Sequence, residues 1–268
     1  MTIKNLVRQA CPEAALRLYR QVKEHVAPAR MAAPVVQMYI NDGHISTVAG
    51  INNYLSFLNA GLTTAGRLAV VLRDKDGVVL LEQELRLEHF GNSFLDIHAM
   101  LARQSLSSDL GLISMQFTPD RVRLPEYKKL GLLASHFFMF YKGAAGGVAM
   151  VHPSSTLDPA SPPSGPFITN QVIETTGLEA VTLYQCNPSA VMHEMVIGLQ
   201  DAQTKAVACS EVLRLPPLSV RKVSFVANAA FAGDGRPLRV FTSSLPTSNS
   251  KPMLCRQYSG QRFSMSHS

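Results

Sequence analysis

The stretch that decides the fold is GRLAVVLRDKDGVVLLEQELRL, residues 66–87, read beside HEMVIGLQDAQTKAVACSEVLRL, residues 193–215. In the first, two apolar runs flank Asp74-Lys75-Asp76-Gly77, and Asp-Gly between such runs is a strong hairpin signal. In the second, Asp201 stands where Asp74 stands, and Leu213-Arg214-Leu215 repeats Leu85-Arg86-Leu87. Working outward, NNYLSFLNAG (52–61) aligns with AVTLYQCNPS (180–189), so that Asn59 matches Asn187, and Gly50-Ile51 aligns with Gly177-Leu178. Downstream, Met139 and Lys142 match Met253 and Arg256. GVAMVH (147–152) then returns as RFSMSH (262–267), carrying Met150-x-His152 and Met265-x-His267. One ordered series of matches is far more specific than any single one, and it reads as an internal duplication.

The expected fold follows from that duplication. It is mainly β: a tandem duplicated antiparallel β-sandwich with an N-terminal α-helix. Residues 1–32 read as the helical segment, with Pro12 in a first turn, Leu16, Tyr19 and Val22 at helical spacing, and Pro28 ending it. The first sandwich repeat spans 33–155 and the second 167–268, joined by a Pro/Ser-rich linker at 156–166. The first repeat carries extra length around 119–135. Strand alternation puts Phe263, Met265 and His267 on one face, so that Phe263 and Met265 complete the second sandwich as Val148 and Met150 complete the first.

Composition excludes several classes. With 46% hydrophobic and 16% charged residues over 268 positions, the chain is too apolar for a disordered protein. A net charge of +6 is a mild excess. The basic residues Arg121, Arg123, Lys128 and Lys129 form one local cluster without interleaved aromatics, so nucleic acid is not an expected partner. The four cysteines (Cys11, Cys186, Cys209, Cys255) show no Cys-x-x-Cys spacing. No segment has the apolar length of a membrane helix or a signal peptide, and a cytoplasmic setting is expected. Low charge and the amphipathic first segment predict self-association, a two-fold homodimer being the commonest form.

The phrase around Leu58-Asn59-Ala60-Gly61, echoed by Cys186-Asn187-Pro188-Ser189, resembles the small β-sandwich of sensory-rhodopsin transducer proteins. The likeness spans roughly half of each repeat. It implies a binding or adaptor sandwich that oligomerises without catalysis.

Candidate chemistry is sparse. Lys142 and Arg256, with His152 and His267 on the same modules, could hold a carboxylate or phosphate. The Met-x-His pairs offer thioether and imidazole side by side, a soft-metal pair suited to reduced copper, but two ligands per copy are too few unless the copies face each other. Asp96-Ile97-His98 places a carboxylate and an imidazole on one strand face, which could orient a general base. Gly-x-Ser-x-Gly, His-Glu-x-x-His and a phosphate-cradling Gly loop are absent from the sequence. The expectation is therefore a non-catalytic binding protein for a peptide, a protein or a small polar ligand, with no cofactor. An enzyme using the Asp/His groups and a Met/His copper protein are the alternatives.

Overall fold

The structure is a computed structural model that describes residues 33–53, 65–120, 137–153, 155–157, 162–227, 235–260 and 262–267. The expected N-terminal helix, the 54–64 stretch that carries the family likeness, and the basic cluster lie outside these residues. Within them the chain is mainly β and antiparallel, its strands forming four blade-like sheets.

In the first half, β1 (Val35–Ile40), β3 (Gly66–Asp74), β4 (Val79–Leu87), β6 (Leu110–Pro119) and β9 (Ser155–Thr156) form one sheet in the order β4-β3-β6-β1-β9. Strands β2 (Ile45–Asn52), β5 (Asn92–Asp96), β7 (Phe137–Gly143) and β8 (Val148–Val151) form another, β5-β2-β7-β8. The second half has β10 (Phe167–Ile168), β12 (His193–Asp201), β13 (Val207–Leu215) and β15 (Leu238–Thr242) in the order β10-β15-β12-β13. Its other sheet joins β11 (Leu178–Asn187), β14 (Ser219–Val226), β16 (Met253–Tyr258) and β17 (Arg262–His267) as β14-β11-β16-β17. Strand for strand, β1 to β8 and β10 to β17 pair in the same order.

Local chemistry repeats with the topology. Asp74 Oδ1 accepts from the backbone N–H groups of Asp76 and Val78, both at 2.9 Å, closing the β3–β4 turn. Asp201 Oδ1 does the same for Gln203 at 2.8 Å and Thr204 at 2.7 Å in the β12–β13 turn. These are Asx turns, in which a carboxylate replaces a backbone acceptor. The β3–β4 ladder shifts register between Leu72 and Arg73, and the β12–β13 ladder between Leu199 and Gln200, at matching positions. The same bulge thus recurs at the same place in the two strand pairs.

The register in which the two halves correspond comes from two asparagines. Asn187 Nδ2 donates to the carbonyls of Leu215 at 3.0 Å and Pro216 at 2.9 Å, just past β13. Asn53 Nδ2 donates to the carbonyl of Glu88 at 3.0 Å, just past β4. Asn53, not Asn59, is therefore the partner of Asn187, and Gly50 corresponds to Tyr184, not to Gly177. Ala49 pairs with Met139 and Leu183 pairs with Leu254, so Met139 corresponds to Leu254 and Tyr141 to Arg256. The expected match of Lys142 with Arg256 is off by one, which turns the side chain to the other face of its sheet. The match of Met150 and Met265 holds: they pair with Phe140 and Cys255, which correspond.

The core runs across the two halves. One cluster fills the second half, with Leu183, Ile197, Leu199, Val240 and Leu254 at 0% exposure. The first half's cluster, built on Leu72, Ile113, Phe137, Met139 and Tyr141, also takes in Tyr184, Cys186, Val220, Met253, Cys255 and Met265. These six belong to the sheet β14-β11-β16-β17, which is buried on both faces: Leu183 and Leu254 point into its own half, Tyr184 and Cys255 into the other. Met265 and Phe263 thus pack on the first half's core rather than completing the second. Val148 and Met150, expected to complete the first, stand 62% and 61% exposed.

Hydrogen bonds fasten the halves. The Val220 N–H donates to the Lys75 carbonyl at 3.1 Å. Arg221 reaches the Lys75 carbonyl through Nη1 and Asp76 Oδ1 through Nη2, both at 2.6 Å. The Tyr141 hydroxyl donates to the Met38 carbonyl at 2.9 Å and lies 3.9 Å from Met253 Sδ.

Candidate functional site

The edge strands β8 and β17 bring the two Met-x-His motifs together. The rings of His152 and His267 lie 5.1 Å apart between centroids. His267 Nε2 donates to the His152 carbonyl at 2.6 Å. Burial holds the His267 imidazole below its usual pKa, partly opposed by that hydrogen bond. The pair fastens the two halves, the His267 Nε2–H being spent on the His152 backbone. Among the described residues no three His, Cys, Asp or Glu side chains converge as a metal-ligand set.

The other two expected site residues lie elsewhere. Arg256 donates to Ser264 Oγ at 3.3 Å and to Gln171 Oε1 at 3.1 Å, and Ser266 donates to the same Gln171 oxygen at 2.9 Å. By alternation along β16, Arg256 shares the face of Leu254, opposite to Cys255 and its partner Met265. Arg256 and Lys142 therefore do not converge. Asp96 and His98 do not share a strand face either. Asp96 ends β5 and caps the short helix α1 (Ile97–Ala102), its Oδ1 accepting from the Ala99 N–H at 2.9 Å. Aspartate is a preferred helix cap, and this one is used for that purpose.

What the fold does assemble is a groove around the β1–β2 turn. A cleft of about 370 Å³ opens between the halves, walled by His44, Ala144 and Ala145 on one side and by Glu179, Gln257, Tyr258, Arg262 and Phe263 on the other. A second hollow of about 250 Å³ adjoins it, lined by Asn41, His44, Ser46, His98 and Lys142 among others. His44, Ile45 and Ala144 border both. The turn is shaped by Asp42, whose Oδ1 accepts from the N–H groups of His44 at 3.1 Å and Ile45 at 3.0 Å. Opposite it, a Cβ on Gly143 would stand 2.6 Å from the Phe263 ring, so the absence of a side chain lets β17 approach. Lys142 and Arg262 reach the groove from opposite ends. Among the described residues Lys142 forms no side-chain ion pair.

Of the residues that line the two hollows, the sequence singles out Lys142 for a ligand and His98 for a general base, whereas His44 and Arg262 carry no such mark. Asn41-Asp42-Gly43-His44 carries a turn signal that could have placed His44 at a loop tip. Nothing in the sequence says that Arg262, from the far end of the second half, comes to that tip.

The described cysteines offer no nucleophile. Burial pushes the thiols of Cys186 and Cys255 up to about 12, and that of Cys209 up to about 11, so each is protonated at neutral pH. No helix among the described residues is long and apolar enough to cross a membrane.

No family model matches the chain, and no curated protein matches it. Among solved structures, an anti-sigma factor domain-containing protein aligns over 86% of this chain and 79% of its own, at 8% identity and a TM-score of 0.22. A beta-glucuronidase from glycoside hydrolase family 2 aligns over 91% of this chain at 11% identity and a TM-score of 0.21. This chain spans 24% of that enzyme's length. Similarities at this level carry no argument about fold or function.

Proposed function

We propose that the protein is a non-catalytic binding protein for a small anionic ligand, held in the groove around His44. The observation that carries the reading is the meeting of two adjoining hollows at His44, with Lys142 and His98 in one and Arg262 in the other. Ligand sites favour such junctions between structural units, where a few polar groups converge on an otherwise apolar wall. Lysine and arginine at the two ends suit a carboxylate or phosphate, and Tyr258 and Phe263 supply the apolar wall. In architectural terms the four sheets are two copies of one two-sheet sandwich, the second docked on the first. The repeated strand order, the repeated bulge and the paired Asn53 and Asn187 caps support this. A cytoplasmic setting agrees with Cys186, Cys209 and Cys255 being free of disulfides.

The test is isothermal calorimetry of the full chain against inorganic phosphate and a set of di- and tricarboxylates, repeated with Lys142→Ala and Arg262→Ala. Millimolar or tighter binding of at least one anion, weakened about tenfold or more in each variant, is expected. Absence of binding to every anion, or equal binding by both variants, removes the reading.

A further inference from the structure

The outer face of the sheet β5-β2-β7-β8 is apolar and open. Phe94 is 70% exposed, Val148 lines a hollow with it, and Met150, paired with Phe140 on the edge strand β8, is also exposed. Phe94 and Phe140 pack ring to ring, 6.2 Å between centroids and tilted by 52°. Hollows of about 280 Å³ and 370 Å³ flank this pair, the first floored by Gly50 and Phe138, the second by Val48 and Val148. A Cβ on Gly50 would stand 2.6 Å from the Phe140 ring, so the missing side chain lets the aromatic settle onto the β2 backbone. A contiguous apolar face of this kind on a soluble surface marks an interaction site.

The duplication says what such a face is for. In the established register Gly50 corresponds to Tyr184, Phe138 to Met253, Phe140 to Cys255 and Met150 to Met265. All four second-half residues are buried in the core cluster of the first half. This face of the repeat is therefore the one through which the second copy of the sandwich docks on another unit of the same fold. In the first half Phe138 and Phe140 are larger than Met253 and Cys255, Met150 equals Met265, and Gly50 leaves open the space that Tyr184 fills, while Phe94 stands where Lys222 reaches toward Asp42. Among the described residues these first-half positions meet no such unit. Within one chain both units are already used.

We propose that the outer face of β5-β2-β7-β8, centred on Phe94 and Phe140, docks a second copy of this chain. The contact repeats between molecules what the sheet β14-β11-β16-β17 does within one. It uses apolar burial, and a few central aromatics dominate its strength, as in other protein interfaces. The site is distinct from the anion groove, which shares only Lys142 with it.

The experiment is sedimentation velocity and light scattering of the full chain from micromolar to hundreds of micromolar. The wild-type mass is expected to rise with concentration from that of the monomer, 29.2 kDa, to at least a dimer. Phe94→Glu and, separately, Met150→Glu are expected to weaken this association by about tenfold or more while leaving the melting curve in place, because both side chains are exposed. Using two variants guards against one failing to fold. Val212→Glu, on β13 and 63% exposed, is the control and is expected to associate as wild type. A wild type that stays monomeric throughout overturns the proposal, whether the face is bare or covered by another segment or protein. So does association that survives both Glu variants, or that Val212→Glu removes equally. Phosphate binding measured on Phe94→Glu keeps the two hypotheses apart, since loss of assembly leaves the groove intact.

Discussion

Met150 and Met265 occupy the same place in the two copies, and they should respond to truncation in opposite ways. Met265 is 7% exposed, on β17 opposite Cys255, and packs into the first half's core. Replacing it with alanine removes three heavy atoms from a site sealed by β16 on one side and the first half on the other. For buried methionine the cost is about 2–5 kcal/mol, the transfer term plus the cavity left behind. Little room exists to collapse, because Tyr141 is held by its hydrogen bond to Met38, so about 3 kcal/mol is expected. For a chain of this size that lowers the melting temperature by on the order of 6–12 °C. Met150, 61% exposed on β8, has little burial to lose, and Met150→Ala should stay within about 0.5 kcal/mol of wild type. Urea unfolding followed by circular dichroism reads both. Hydrogen exchange adds location: in Met265→Ala, protection should fall in β1 and β7 of the first half, over a hundred residues away in sequence. Equal losses for the two alanines, or a loss of protection confined to the second half, would refute the assignment of β17 to the first half's core.

Two further outcomes follow from the contacts between halves. Arg221→Ala removes the hydrogen bond to the Lys75 carbonyl and the Asp76 ion pair together. Its side chain is 27% exposed and that of Asp76 43%, so screening limits the cost to about 1–2 kcal/mol, read as a shift in the urea midpoint. The pH dependence has a worked sign. Burial lowers the pKa of His193 and of His267 below the ordinary value of 6.5. Between the lowered and ordinary values the unfolded chain binds more protons than the folded one, so stability rises with pH there and is fully present above about 6.5. Melting temperature should therefore fall as pH drops below about 6.5, with a shallower slope in His267→Gln; a slope unchanged by that substitution would remove His267 from the account.

Some of this was legible in the residues and some was not, for physical reasons. The Asp-led turns and the Leu-Arg-Leu strand ends mark the β3–β4 and β12–β13 hairpins, because turn chemistry and half-buried alternation are local signals. The register of β16 was misread by one residue because Met253, Leu254 and Cys255 are all buried. A strand covered on both faces shows no alternation from which to choose a face. Asn53 does not stand out as the counterpart of Asn187, because an asparagine's role as a clamp on distant carbonyls leaves no mark on its neighbours. Phe94-Leu95 gives one buried and one exposed apolar side chain, and composition cannot say which. Asp96 looked like half of a catalytic pair because a helix of six residues is too short for its periodicity to be seen. The site suffered most. Lys142 carries a visible charge, but that His44 borders its hollow as well as the one lined by Arg262 follows only from how the two halves pack.

That docking also sets a timetable for biosynthesis. His267, which meets the backbone of His152, follows it by 115 positions. At about 5–20 residues per second, β17 leaves the ribosome roughly 6–23 s after β8. Through that interval the first half has all its own strands yet lacks the side chains that seal its core, and the surface around Met38 and Tyr141 faces solvent. Pairings this distant in sequence form slowly. The nascent chain therefore passes through a stage that is nearly folded and adhesive. A chaperone that shields apolar surface, or a slow stretch of translation placed before β16, would act on this stage, and the yield of the protein should depend on it more than on the stability of the finished fold.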